Sequence, residues 1–416
     1  MSDSVAIAVV STHVIQHFAP LYRRLAQEPG VRIKVFYCSR SGLDSFHDPG
    51  FGVDYAWDSD LLSGYESEFL PGAETPLQNG FRANDCPELA AHLAGFKPDF
   101  LIIFGYNRSV MLRALRWGNR ARVPVAMFSD SELVHPRGWW RRLVKRLVLP
   151  RLLRSVNGFL TIGDNNESYL RHYGVPREKL FRSAYPTAEA EFLSARKGRA
   201  ALRAATRLRW EVGDGDFVAL FVGKLIPRKR PFDLLFAIGG ISRFADLKRP
   251  VVAVFAGDGE LRPAIEMEMK NLPAGRCRLL GFVNQRELPA TYAAADVLVH
   301  PAEMDPHPLT ITESAMVGLP VIVSDKVGCI GETDTARPGL NAIVYRAGHV
   351  DSLAKCICTL IADPAALQKM EAATLAVAED HGLTAAARGV LKAVRTLVAR
   401  LEHPGPRCPQ AGLPDR

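Results

Sequence analysis

The sequence predicts an α/β protein of two domains, each built on a parallel sheet. Three observations carry this reading. Short apolar runs rich in Val, Ile and Phe recur, each followed by a polar or Gly turn and then a segment of helical period. The runs are continuous rather than alternating, which marks strands covered on both faces. Their alternation with helices implies right-handed strand–helix–strand units.

The first set of runs is 5–10, 32–37, 100–104, 124–128 and 158–162. The second is 217–222, 251–256, 278–280, 297–300 and 320–323. Between them, 188–216 is charged, contains Arg196-Lys197-Gly198-Arg199 and has no strand-like run. The first domain is therefore set at 1–190 and the second at 191–382. Residues 383–402 read as a helix, with Val390, Val394, Leu397 and Leu401 on one stripe. A crossing back to the first domain is one placement for it. The tail 403–416 has four prolines and two glycines and is expected to be disordered.

Composition narrows the function classes. A chain of 416 residues suits two or three domains of roughly 150 each. Hydrophobic residues at 48% and charged residues at 23% exclude a disordered or fibrous chain. No apolar run reaches the roughly 18 residues of a membrane span. Residues 1–10 lack the basic start and long apolar stretch of a secretory signal. Seven cysteines, with no C-x-x-C pair, exclude a disulfide framework or a zinc ribbon. They point to a reducing, cytoplasmic setting. A net charge of +8 favours anionic partners.

In open parallel sheets, ligands bind beyond the carboxyl ends of the strands. The residues there include Ser11-Thr12-His13, Ser129-Asp130-Ser131, Gly223-Lys224, Gly257-Asp258-Gly259 and His300-Pro301-Ala302-Glu303. Such clusters also serve as ordinary turns. Two edges facing each other would form an interdomain cleft.

Three features of the second half are sharper. Gly223 to Arg230 places Lys224, Arg228, Lys229 and Arg230 just after a strand, which suits a diphosphate; the alternative is a solvated basic loop. From Asp305 to Glu313, a loop bearing one carboxylate enters a helix bearing another. The free N–H groups at that helix start make a ready phosphate site. Glu313 would bond sugar hydroxyls or turn back as a capping box with Thr310. Gly257-Asp258-Gly259 is a tight strand-to-helix turn that lets a ligand approach the backbone.

In order, these features resemble the donor domain of family 4 glycosyltransferases. The residues are Phe221-Val222-Gly223-Lys224-Leu225 with Lys229, Ala256-Gly257-Asp258-Gly259, Gly281-Phe282-Val283, Asp305-x7-Glu313 and Gly318-Leu319-Pro320-Val321-Ile322. The likeness is strong over 216–375. The first half resembles a branch of the family more loosely, through Thr12-His13, Gln16, Phe18 to Arg23, Trp57-Asp58, Gly64-Tyr65 and Ser129-Asp130-Ser131. The resemblance implies a GT-B fold of two Rossmann-like domains and a retaining, metal-independent enzyme with no cofactor. It implies Lys224 and Lys229 on the donor diphosphate, with Leu309 and Thr310 cradling the distal phosphate. Glu313 would hold the ribose, Asp305 the transferred sugar, and Val283 the base. Two positions depart from the family pattern. Lys224 stands where Arg is usual, so a fork becomes a point charge, and Asp305 stands where Glu is usual. His307-Pro308 replaces Phe-Gly, which leaves donor choice open.

Other constellations were weighed. Asp58-Ser59-Asp60 has the form of a metal-binding D-x-D, without a supporting cluster. His13 and His17 have helix-ligand spacing without a third ligand. His13 is expected to face the cleft on the acceptor side, and His17 to ride a helix beginning near Val14. Asp130 is expected to touch acceptor or sugar, unless it is a turn residue. Residues 136–154 hold seven Arg or Lys and no acid, with Trp140, Leu143, Val144, Leu147 and Val148 on one stripe. That pattern suits a helix lying on anionic lipid, or a helix whose stripe packs on its own sheet.

These features together lead to the expectation of a cytoplasmic glycosyltransferase, with a peripheral position on the inner membrane face as one placement for it. Its donor would be a nucleotide-diphosphate sugar and its acceptor a sugar or lipid-linked glycan. A GT-B epimerase or a non-catalytic nucleotide- or nucleic-acid-binding protein are the alternatives. Specific nucleic-acid binding is not expected, because the basic residues are not interleaved with aromatics along strands.

Overall fold

The computed structural model describes residues 4–43, 46–48, 52–55, 57–135, 138–187, 189–244, 249–273 and 275–402. The tail 403–416 and residues 136, 137 and 188 of the segments singled out above lie outside them.

Two wholly parallel sheets form the framework. The first contains β1 (Val5–Ser11), β2 (Val31–Tyr37), β5 (Glu66–Phe69), β6 (Phe100–Phe104), β7 (Val125–Phe128), β8 (Gly158–Thr161) and β9 (Leu180–Arg182), in the order β5-β2-β1-β6-β7-β8-β9. A small antiparallel pair, β3 (Phe46–Asp48) and β4 (Val53–Tyr55), stands apart. The second sheet contains β10 (Phe217–Val222), β11 (Val251–Ala256), β12 (Cys277–Gly281), β13 (Val297–His300), β14 (Val321–Ser324) and β15 (Ala342–Tyr345), in the order β12-β11-β10-β13-β14-β15. In register, β10 pairs with β11 along its whole length, from Phe217 opposite Val251 to Val222 opposite Ala256.

Burial explains why these runs are strands. Every residue of β7, β8, β10, β11, β13 and β14 is buried. Alternate side chains enter different core layers: Val218, Leu220 and Val222 face one, Phe217, Ala219 and Phe221 the other. Three strands of the two parallel sheets escaped the sequence reading, as did the β3/β4 pair. β5 (ESEF) is a polar edge strand, β9 has three residues, and β15 is an edge strand.

The chain orders reverse at β1/β6 and at β10/β13. Loops leaving adjacent strands in opposite directions open a crevice there, at the carboxyl ends. The helix expected near Val14 begins instead at Ala19 (Ala19–Ala26), with Pro20 in its first turn. Residues 16–18 form a turn ahead of it. Proline pre-sets the first helical turn and lacks the N–H that position would leave unpaired.

The connection between domains is helical. Glu189–Lys197 and Arg199–Arg209 pack on the second domain through Phe192, Ala195 and Leu202. There Arg207 is fully buried. It donates to the carbonyls of Ala294, Gly213, Asp214 and Asp216, and to Asp296 Oδ2 at 2.7 Å. Asp296 also accepts from Val218 N and Arg203.

The last helix, Leu383–Glu402, lies on the first domain. Ala386, Val390, Ala393, Val394 and Leu397 join the core beneath β8 and β9. A Cβ on Gly389 would lie 2.0 Å from the Arg182 carbonyl, so only Gly permits this approach. A polar joint also ties the domains. Asp164 N donates to buried Asp334, Asn165 donates to the carbonyls of Gly328 and Ile330, and Arg182 reaches Thr333.

Removing the buried guanidinium leaves Asp296 and four carbonyls short of donors. Arg207→Met is expected to cost about 3–5 kcal/mol in urea unfolding. A cost below about 1 kcal/mol would show that Arg203 alone satisfies Asp296.

Candidate functional site

The two switch points face each other across a cavity of about 610 Å³. Its second-domain wall includes Gly223, Gly257, Val283, Leu309, Thr310 and Glu313. Its first-domain wall includes Gln16, His17, Arg23, Trp57, Asp58 and Thr187.

The second-domain wall is shaped by backbone. Gly223 follows β10 with φ +144°, and a Cβ there would meet nothing within 4 Å, so this position opens onto free space. Gly257 follows β11 with φ +154°, and a Cβ on it would lie 1.9 Å from Gly223 O. The two glycines thus let adjacent strand ends touch while the wall stays flat. The helix Leu309–Met316 points its start at this wall. Its N-cap is Pro308, and no side chain caps it. Uncapped N–H groups and the positive dipole end suit an anion.

Glu313 is not the capping residue of that helix. Its Oε2 accepts from Tyr292 Oη at 2.7 Å. Burial raises its pKa to about 7, with the Tyr292 hydrogen bond pulling the other way. Pro308, which has no hydroxyl, occupies the N-cap, so the capping box with Thr310 does not form.

Lys229 and Asp305 are largely buried, with side chains 15% and 10% exposed, and are not among the lining residues of the cavity. The Lys229 ammonium pairs directly with Asp305 Oδ2. His300 Nε2 also meets Asp305 Oδ2, at 2.9 Å, and Thr310 Oγ1 meets His300 Nδ1 at 3.4 Å. All three bonds are satisfied when Nε2 carries the proton and Thr310 donates to Nδ1. Burial would raise the Asp305 pKa, but the His300 hydrogen bond and the Lys229 charge outweigh it and hold the carboxyl well below its ordinary value. Burial lowers His300 despite its bond to Asp305. A chain of three polar contacts therefore runs from Lys229 to the lining residue Thr310. Lys224 is half-buried next to Gly223 and does not line the cavity either.

On the first domain, His17 lines the cavity and His13 does not, the reverse of the sequence expectation. The turn before Ala19 swings His17 inward, whereas His13 bonds Thr12 Oγ1 through Nδ1 at 2.9 Å. Burial, helped by Arg108, lowers His13 to about 4; burial and the neighbouring His13 lower His17 to about 3. Both rings are neutral at neutral pH. Asp130 is exposed on the loop after β7 and off the cavity wall, yet its charge reaches Tyr185 and buried His307. Burial lowers His307 to about 4, its Nε2 has no hydrogen-bond partner, and its ring sits edge-on to Tyr185 at 5.5 Å.

Asp58 and Asp60 are not arranged as a metal pair. Asp58 Oδ2 accepts from Arg286 N across the cleft, while Asp60 accepts from Leu62 N and Ser63 N in its own turn. Among the described residues, no group of three His, Cys, Asp or Glu side chains is placed to hold a metal ion. Tyr292 and His300 had no motif to announce their roles, although His300 stood at a strand end, and Asp58 stood in a D-x-D pattern that pointed to a metal rather than to Arg286. Three buried atoms at this cleft lack partners: His17 Nδ1, Asp58 Oδ1 and Thr187 Oγ1.

Comparison with known proteins agrees with this geometry. The glycosyl transferase 4-like domain matches residues 14–186, and the glycosyl transferases group 1 domain matches residues 204–376. Glycogen synthase of Mycobacterium tuberculosis is 28% identical over 206 residues, 49% of this chain and 48% of that protein. D-inositol 3-phosphate glycosyltransferase of Streptomyces bingchenggensis is 29% identical over 232 residues, 53% of this chain and 48% of that protein. The chain thus spans about half the length of the curated relatives it matches. HepE of Anabaena, solved with UDP and glucose, has the same fold, with a TM-score of 0.64 at 15% identity over 94% of this chain and 100% of that one. With a 4-like domain on the first sheet and a group 1 domain on the second, facing across one cleft, the chain belongs to the family 4 glycosyltransferases of GT-B fold.

Proposed function

We propose that this protein moves a sugar from a nucleotide-diphosphate sugar to an acceptor hydroxyl, with retention at the anomeric carbon and without a metal. The acceptor is a growing polysaccharide or a lipid-linked glycan. One observation carries the reading: Gly223, the uncapped helix start at Leu309 and the Tyr292-bound carboxylate of Glu313 meet on one wall of the interdomain cavity.

The diphosphate lies against Gly223 and the N–H groups of Leu309 and Thr310. Lys229 then exchanges Asp305 for phosphate oxygen, with Lys224 adding charge. Protein cations and a helix dipole supply the stabilisation the leaving group needs. Asp305, freed of its ammonium, accepts from the hydroxyls of the transferred sugar. Glu313 accepts from the ribose, and Val283 borders the base. As the bond from the anomeric carbon to phosphate breaks, the acceptor oxygen bonds the same face. Its proton passes to the departing phosphate oxygen. The acceptor side of the cleft is the first-domain wall that carries His17, with His13 and Asp130 set back from it.

Two outcomes are expected. Lys229→Ala lowers kcat/KM at least about a hundredfold in a product assay by mass spectrometry over a nucleotide-sugar library, and Lys229→Arg keeps part of it. Wild-type turnover by Lys229→Ala would refute the diphosphate role, and stabilisation by single-stranded oligonucleotide but by no nucleoside diphosphate would refute the enzyme reading. Ribose binding needs ionised Glu313. Below its value of about 7 the carboxyl is increasingly protonated, so donor affinity falls by up to about tenfold per pH unit as pH drops. Calorimetry with an intact nucleotide sugar, whose diphosphate does not titrate there, is expected to show this slope, and Glu313→Gln is expected to remove it.

A further inference from the structure

The helix Trp139–Arg154 turns an apolar face to solvent. Trp139, Trp140, Leu143, Val144, Leu147 and Val148 are each more than half exposed. The opposite side carries Leu149 and Leu153 into the first-domain core, with Leu152 partly buried beside them. At about 100° per residue, Trp140, Leu143, Val144 and Leu147 project away from that core. The stripe therefore does not pack on its own sheet. Its orientation is fixed: Lys145 Nζ donates to Tyr169 Oη at 3.0 Å and lies over that ring.

An exposed apolar row of this size is rare on a surface without a partner. The charge around it identifies the partner. Arg142, Arg146, Arg151 and Arg154 are exposed on the same helix, and no carboxylate occurs between residues 136 and 154. Beside its first turns lies a hollow of about 520 Å³ whose rim includes Trp139, Arg142, Leu143 and Arg146. Glu132 shares that hollow but is paired with His135 at 2.8 Å. Apolar side chains framed by arginines, with two tryptophans at one end, match the boundary between acyl chains and anionic headgroups. Among the described residues no helix is long and apolar enough to cross a membrane.

We propose that this helix lies in the surface of an anionic phospholipid bilayer. Trp140, Leu143, Val144 and Leu147 enter the acyl boundary, and Arg142 and Arg146 meet headgroup phosphates. The surface is tied to the cleft, because His135, four residues before the helix, meets the Glu303 carbonyl of the second domain at 3.2 Å. The proposal needs no donor and stands apart from the reading of the cleft.

Vesicle co-sedimentation of the full chain tests it. Binding to equimolar phosphatidylcholine and phosphatidylglycerol is expected to exceed binding to phosphatidylcholine at least about tenfold, and to weaken in raised salt. Tryptophan emission is expected to shift blue on the anionic vesicles. Leu143→Glu with Leu147→Glu, and separately Arg142→Ala with Arg146→Ala, are each expected to lower the partition at least about tenfold with an unchanged unfolding midpoint. Equal binding to both vesicle types, or wild-type partition by either double variant, would overturn the proposal. So would a lipid-free dimer that the Leu143→Glu, Leu147→Glu variant converts to monomer, since the face would then be an interface between copies.

Discussion

A buried ammonium and a buried carboxylate are each costly alone, and the second domain resolves this by pairing Lys229 with Asp305. The pair joins loops 76 positions apart, one leaving β10 and the other leaving β13. These are the loops that diverge at the switch point. Asp305 is held further by His300, and its carbonyl accepts from Gly328 N at 2.9 Å. The helix start at Leu309 is positioned from this anchor, four residues on. The glycines at 223 and 257 then keep the wall before it free of side chains. The same two loops are also joined by Glu303 N, which donates to the Arg228 carbonyl at 2.8 Å, and by the Arg230–Glu303 ion pair.

The same pair gives the site two charge arrangements. With the cleft free of anions, Lys229 answers Asp305. In the function proposed above, a diphosphate would take the place of Asp305 on Lys229, so that binding charge and sugar-contacting charge would become available together. Glu313 behaves differently, because its one bond to Tyr292 leaves it short of donors and burial keeps it near half-protonated at neutrality.

Much of this was legible in the sequence. Strands buried on both faces appear as unbroken apolar runs, so 217–222 and 251–256 were read to the residue. Edge strands carry no such mark: Glu66–Phe69 has a single apolar side chain, Phe69, and Ala342–Tyr345 is short. Gly223, Gly257 and Glu313, which line the cavity, stood out in the sequence because backbone shape and a carboxylate at helical spacing leave local traces. Lys229 was singled out, but its bond to Asp305 was not, because nothing local encodes a contact across 76 positions. The bond of Tyr292 to Glu313 and that of Asp58 to Arg286 N were unread for the same reason. The exchange of His13 for His17 on the wall follows from where Pro20 lets a helix start. The outward stripe of Trp139–Arg154 was visible as a pattern, but only packing of Leu149 and Leu153 told which side is free.

The helix Leu383–Glu402 has a consequence for how the molecule is made. It completes the core under β8 and β9, yet it emerges from the ribosome about 200 residues after Arg182. At about 5–20 residues per second, the first sheet waits roughly 10–40 seconds with that flank uncovered. Meanwhile the second domain already has its full set of strands. The half synthesised first is therefore the half finished last, and for that interval its apolar flank stays open to water.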